Sequence, residues 1–141
     1  MNKELKYSQG ILEAYNYLLE NHKEFFVIGQ GLWSPWYVGA TMKDLDKKFG
    51  KRRVIDCPVS EYATTGAAVG ASIAGYKPMI VHPRIDFMLL AVDQIVSQAA
   101  KWRYMFGGNS SAPVTFRGII NRGGEQGAQH SQSLHSWFAH I

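Results

Sequence analysis

The chain is poor in cysteine: Cys57 is the only one among 141 residues. No internal disulfide can form, which suits a reducing compartment, and the expected location is the cytoplasm. No apolar run reaches the ~18 residues that a membrane-spanning helix needs, so no membrane role is expected. The opening MNKELKYSQG has no apolar core of the signal-peptide type. Also missing are a Walker loop and the GxGxxG, HExxH and GxSxG patterns, which removes the commonest sequence signs of nucleotide, zinc and hydrolase chemistry. His130, His135 and His140 recur at intervals of five. That spacing does not align one helical face, so no metal site is expected.

What is present is a core-forming composition. The chain is 46% hydrophobic and 18% charged, which fits one domain of ordinary size. The formal net charge is +4, and the densest basic run is KKFGKRR, Lys47 to Arg53. Phe49 is its one aromatic residue, short of the repeated interleaving of single-strand binders. The run therefore reads as a solvated turn rather than a phosphate or nucleic-acid patch, and no nucleic-acid partner is expected.

Strand and helix signals alternate. SQGILEAYNYLLENH has apolar residues at helical spacing with Ser8 as its cap. FFVIG, RVIDCP, KPMIVHP and APVTFRG read as short buried strands. Between them, TMKDLDKKFG predicts a helix capped by Thr41 and stopped by Gly50. SEYATTGAAVGASIAG predicts a second, and FMLLAVDQIVSQAAKWRYMFGG a long third closed by Gly107 and Gly108. A Gly-rich loop (123–127) precedes a last short helix from Ser131. The expected fold is a three-layer α/β/α domain on a mainly parallel sheet. Ligands in such folds sit beyond the carboxyl ends of the strands. This singles out Gly29–Gly31, Pro58–Glu61, Pro83–Phe87 and Gly118–His130. The last helix carries Leu134, Trp137, Phe138 and Ile141 with no stop signal. The expectation is a longer chain, or a partner covering that face.

Three groups stand out chemically. Glu61 lies in the first turn of a helix that is otherwise small and apolar, where the helix dipole favours negative charge. Gly66 and Gly70, and Ala63, Ala67 and Ala71, form small-residue faces open to packing on the chain's own sheet or on a second subunit. RGIINRGGEQGAQHSQS gathers Arg117, Arg122, Gln126, Gln129, His130, Ser131 and Gln132 around Gly118, Gly123, Gly124 and Gly127. Such a loop can bring backbone and a near-neutral titrating group to a ligand, or simply cap the last helix. His22 and His82 stand alone and read as structural, and Cys57 reads as a small buried hydrophobe.

RVIDCPVSE, GAAVGASIAGYKPMIV, DFMLLAVDQIVSQAAKWRYMFGG and GAQHSQSLHSWFAHI resemble the β subunit of the thiamine-diphosphate-dependent decarboxylating component of 2-oxo acid dehydrogenase complexes. The group spans pyruvate, acetoin and branched-chain enzymes. The resemblance runs from about residue 8 to 141, over the N-terminal pyrimidine-binding, transketolase-like domain. It implies a single domain, 1–141, without the diphosphate-binding and C-terminal domains. It also implies thiamine diphosphate shared with an α subunit that supplies Mg2+, a homo- or hetero-oligomer, and acyl transfer to the lipoyl domain of an acyltransferase. The chain is not expected to act alone.

By that resemblance, Glu61 of the SE motif bonds the pyrimidine ring nitrogen and drives proton removal from the thiazolium. Phe87 packs on the pyrimidine, and His130 of QHS, beside Gln129, handles substrate or acceptor. Asp93 matches an acid near a subunit interface. The chain departs from the family where GED or GEE becomes GQG (Gln30, Gly31), and where the third strand ends VHPR (Val81, His82, Pro83, Arg84). Two acids associated with coupling of paired active sites are replaced, and a cation is gained. Arg84 is suited to a carboxylate or phosphate of a different substrate. A related thiamine-dependent carbon–carbon transferase, and a non-catalytic interaction domain, are the alternatives.

Overall fold

The computed structural model describes residues 4–121, 123 and 126–141. The four apolar runs form strands β1 (Phe25–Gly29), β2 (Val54–Asp56), β3 (Lys77–His82) and β4 (Thr115–Gly118). All pairings are parallel, in the order β2-β1-β3-β4. Alternate side chains of β1 divide between two cores. Phe25 and Val27 pack with Tyr15 and Leu19 of α1 (Tyr7–Asn21) and Leu45 of α2 (Leu45–Phe49). On the opposite side Ile28 packs with Ile80 and with Ala68 of α3 (Glu61–Ile73). The result is the expected three-layer α/β/α arrangement.

From the central pair the chain runs outward both ways, β1 to β2 and β3 to β4, which makes β1/β3 the switch point of the sheet. Their register sets Gly29 beside Val81. The approach is so close that a Cβ on Gly29 would lie 2.5 Å from the Val81 carbonyl oxygen. Only glycine lets the two strand ends stay level there.

Several helices differ from expectation. The segment before α2 does not form helix from Thr41. Val38, Ala40 and Asp44 take left-handed backbone (φ 47, 56 and 60°), through which a right-handed helix cannot propagate. Thr41 is buried and its hydroxyl donates to the Val38 carbonyl at 2.7 Å, so it caps nothing. At α1 the end is held by Gln9, whose Oε1 accepts the Lys6 N–H at 3.0 Å, rather than by Ser8. Ser60 precedes α3 without a side-chain capping bond. The long third helix is a broken helical run. It comprises α4 (Ile85–Met88), a tight 3-10 turn (Leu89–Ala91), a wide π segment (Asp93–Ala99) and α5 (Ala100–Met105). Gly107 and Gly108 close it as expected, with Gly108 N–H donating to Arg103 O at 2.8 Å. The last helix, α6 (His135–Ala139), begins later than Ser131, after a 3-10 turn at Ala128–His130. Leu134 and Phe138 pack on Ile85, Met88 and Ile95, while Trp137 and Ile141 stay exposed.

The side of α3 that is buried carries Glu61, Thr65, Ala68, Val69 and Ser72. Ala63, Ala67 and Gly70 remain exposed, so packing on the chain's own sheet does not account for that small-residue face. Cys57 is only partly buried, beside Ile28 and Ile80; burial still raises its thiol pKa.

The basic run is largely spent within the chain. Lys47 pairs with Asp44, Lys48 bonds Asn16, and Lys51 sits over the Trp33 ring. Arg53 turns inward. Its guanidinium donates to Leu19 O (3.1 Å) and His22 O (2.7 Å) at the end of α1, and to Phe25 O (2.8 Å) in β1. Those carbonyls have no further helical partner, and a cation there also suits the helix dipole. Arg53→Ala is expected to destabilise the fold by about 2–3 kcal/mol, the range for losing charge-assisted bonds to partly buried carbonyls. Arg53→Lys should recover less than half, because an ammonium cannot span three carbonyls. Urea denaturation of the three proteins checks both.

Candidate functional site at the strand ends

Each of the four segments singled out by the strand-end rule reaches one cleft of about 510 Å³. Gln30 enters from the end of β1, and Val59 and Glu61 from beyond β2. Pro83, Arg84 and Phe87 follow β3, and Gln126 and His130 come from the loop after β4. Tyr37 and Leu90 complete the wall. An apolar hollow of similar volume lies beside β4, with His135 as its one titratable side chain. A carboxylate, a guanidinium and an imidazole meet in the strand-end cleft, whereas the hollow beside β4 has His135 alone.

Glu61 opens α3 and is 6% exposed. The Gln30 amide, crossing from β1, donates from Nε2 to its Oε1 at 3.1 Å. The turn that delivers Gln30 is pinned by the Gly31 N–H, which donates to Asp56 Oδ1 at 2.7 Å. Gly31 has φ +67°, and a Cβ there would lie 2.2 Å from the Tyr37 ring. Glycine is thus what admits Tyr37 to the cleft.

Across the cleft Phe87 and His130 meet edge to face, with ring centroids 5.0 Å apart and planes at 87°. His130 Nδ1 is buried without a hydrogen-bond partner among the described residues. Arg84 donates from Nη1 to Pro83 O at 2.6 Å, and from Nε and Nη2 to Gln126 Oε1. The structure therefore brings together Glu61, Phe87, His130 and Arg84. It does not bring in Gln129 or Asp93. Both are exposed, and Asp93 accepts a bond from the neighbouring Gln94.

The remaining loop donors disperse. Arg117 faces the α1 layer, where it donates to Tyr15 Oη (3.2 Å) and Thr41 Oγ1 (2.8 Å). Gln132 secures the loop to the buried Asp86 through its backbone N–H (3.2 Å) and Nε2 (2.9 Å). Arg122 and Gly124 lie outside the described residues.

One residue behind the cleft has more to do with it than its isolation in sequence suggests. His82, at the end of β3, is 1% exposed. Its Nε2 lies 3.2 Å from Thr65 Oγ1 on α3, and its Nδ1 has no partner among the described residues. A bare acceptor costs less to orphan than an N–H, which places the proton on Nε2. Burial lowers its pKa from 6.5 to about 4, against a smaller opposing pull from the Glu61 carboxylate. The unfolded chain therefore binds a proton here that the folded one refuses. Stability attributable to His82 is intact above pH 6.5 and falls as pH drops from 6.5 toward 4, by about 3 kcal/mol in all. His82→Gln should flatten that part of the stability–pH curve, measured by urea midpoints at half-unit steps.

Comparison with known proteins identifies the family. The family described as "Transketolase, pyrimidine binding domain" matches residues 3–141. Among curated proteins the chain is similar to pyruvate dehydrogenase E1 component subunit beta of Rhizobium meliloti, 38% identical over 122 residues. It is also similar to the mitochondrial subunit of Bos taurus, 39% over 124 residues, and to subunit beta-2 of Oryza sativa, 35% over 141. These alignments cover 85%, 86% and 99% of this chain, but 26%, 34% and 37% of the relatives. The chain thus spans roughly a third of the length of the curated relatives it matches. With a family match from residue 3 to 141 and the expected parallel sheet, the chain belongs to the transketolase pyrimidine-binding domain family.

Proposed function

We propose that this chain supplies the aminopyrimidine-binding half of a thiamine-diphosphate-dependent 2-oxo acid dehydrogenase. An α subunit carrying the diphosphate and Mg2+ site would complete it within a cytoplasmic oligomer, and a lipoyl group would receive the acyl product. The observation that carries the reading is Glu61: a carboxylate almost wholly out of water, at a helix start, in the wall of a cleft at the β1/β3 switch point. The names of the relatives, all pyruvate dehydrogenase E1 subunit beta, support it.

The donor set fits an aminopyrimidine. A flat heteroaromatic ring needs a carboxylate for its ring nitrogen and apolar faces above and below. Glu61 offers the first, and Phe87, Val59 and Tyr37 the second. When bound, thiamine diphosphate supplies an electron sink for loss of carbon dioxide from a 2-oxo acid. The chain's own part is positional and acid–base. Gln30 holds one oxygen of Glu61 and so sets the rotamer of the carboxylate. The carboxylate then exchanges a proton with the ring nitrogen. His130, steadied against Phe87, lines the space where substrate would lie.

A carbon–carbon transferase with a different acceptor is a second reading. Gln30 and Arg84, both in the cleft, favour it. A substrate panel in which only a lipoyl acceptor supports turnover would remove it.

Calorimetric titration of thiamine diphosphate with Mg2+ into the chain, with and without an α subunit, tests the main reading. Binding is expected only in the mixture. Glu61→Gln should weaken it and lower turnover by more than ~100-fold, the scale of a lost proton-transfer group. Unchanged turnover in that variant would refute the role of Glu61.

A further inference from the structure

The amide oxygen of Gln126 is overcommitted. Its Oε1 receives Arg84 Nε at 3.2 Å, Arg84 Nη2, and Asn121 Nδ2 at 3.1 Å. A side-chain amide oxygen has two lone pairs and no charge. Three N–H groups, two of them from a guanidinium, therefore converge on one neutral atom. The only other oxygen that Arg84 meets among the described residues is the Pro83 carbonyl, also neutral. A planar guanidinium fork is matched best by the paired oxygens of a carboxylate or phosphate. Gln126 itself is exposed, so its amide can be handed to water at little cost.

We infer that Arg84 and Asn121 form a recognition site for an anionic group, a carboxylate or phosphate, borne by the ligand of this cleft, and that Gln126 holds the place of that group when it is absent. Arg84 and Gln126 line the same cleft as Glu61 and His130. Resting on the proposed function, the inference narrows the substrate class. The 2-oxo acid or its acceptor carries a second anionic group, remote from the reacting carbonyl. The chemistry asks for oxygens able to replace one amide oxygen and accept three N–H bonds.

The test uses the intact chain and two probes, inorganic phosphate and malonate, at constant ionic strength. Nitrogen-detected NMR follows Arg84 Nε–H and the Asn121 side-chain amide. A saturable shift is expected with at least one probe. Arg84→Gln should weaken it at least 10-fold. Gln126→Ala removes the internal competitor and should tighten it about 2-fold or more. Saturation by phosphate alone would specify a phosphorylated ligand, and by malonate alone a second carboxylate. Shifts that stay linear with both probes, an affinity indifferent to Arg84→Gln, or weaker binding in Gln126→Ala would overturn the inference. Dispersion of the backbone amide spectrum separates a lost site from a lost fold. Thiamine diphosphate titration is scored separately: its failure would sink the proposed function while leaving saturable anion binding standing.

Discussion

Gly29 and Val81 stand side by side at the ends of β1 and β3, with no room between them for even a methyl group. Because neither strand can slip or tilt there, the residues that follow leave the sheet at one level. Gln30 leaves on one side and Pro83 and Arg84 on the other, and both border the same cleft. The helix that follows β2 starts at that height too, which brings Glu61 under the Gln30 amide. A parallel sheet that reverses its direction of growth at β1/β3 opens a gap at this point. In this chain the gap is filled by chemistry rather than by packing.

The buried carboxylates and the buried imidazole follow one rule: each is hydrogen-bonded to a neutral partner. Glu61 takes an amide, His82 a hydroxyl, and Asp86 an amide and a backbone N–H; the half-buried Arg117 likewise takes two hydroxyls. Neutral partners satisfy hydrogen bonding without cancelling charge. They also avoid the desolvation of a second ion that a buried pair would require. The cleft consequently keeps an acid and a cation that are not bonded to each other among the described residues. Its two sides differ in sign, and an oriented ligand can use both.

The strands and their order of use could be read directly, because each is a short apolar run between polar loops. Once the strands are placed, the strand-end rule locates four segments of the cleft and misses Tyr37 and Leu90. The family resemblance points to Glu61, Phe87 and His130, and all three line the cleft. Other features left no local trace. Nothing in residues 38–50 announces that Val38, Ala40 and Asp44 will be left-handed, while Val38, Met42 and Leu45 all go into the core. The inward turn of Arg53 is invisible within a run of cations, because its carbonyl partners lie about thirty residues away. Arg84 and Gln126 are 42 positions apart. His82 looked solitary because Thr65 sits on the preceding helix, 17 residues back. Local pattern reports what a residue does to its own segment. Contacts between segments appear only once the chain is folded.

The guanidinium of Arg53 also bears on how the domain comes apart. A helix on the outer layer of a domain ordinarily frays and reforms by itself, with an opening free energy well below that of the core. Here the carbonyls at the end of α1 and the first carbonyl of β1 share one cation, which sits at the residue just before β2. Opening α1 from that end means pulling on the two strands at once. Helix and central sheet therefore make a single cooperative unit, and the cleft at the far end of the same strands inherits its rigidity from a junction on the opposite edge of the molecule.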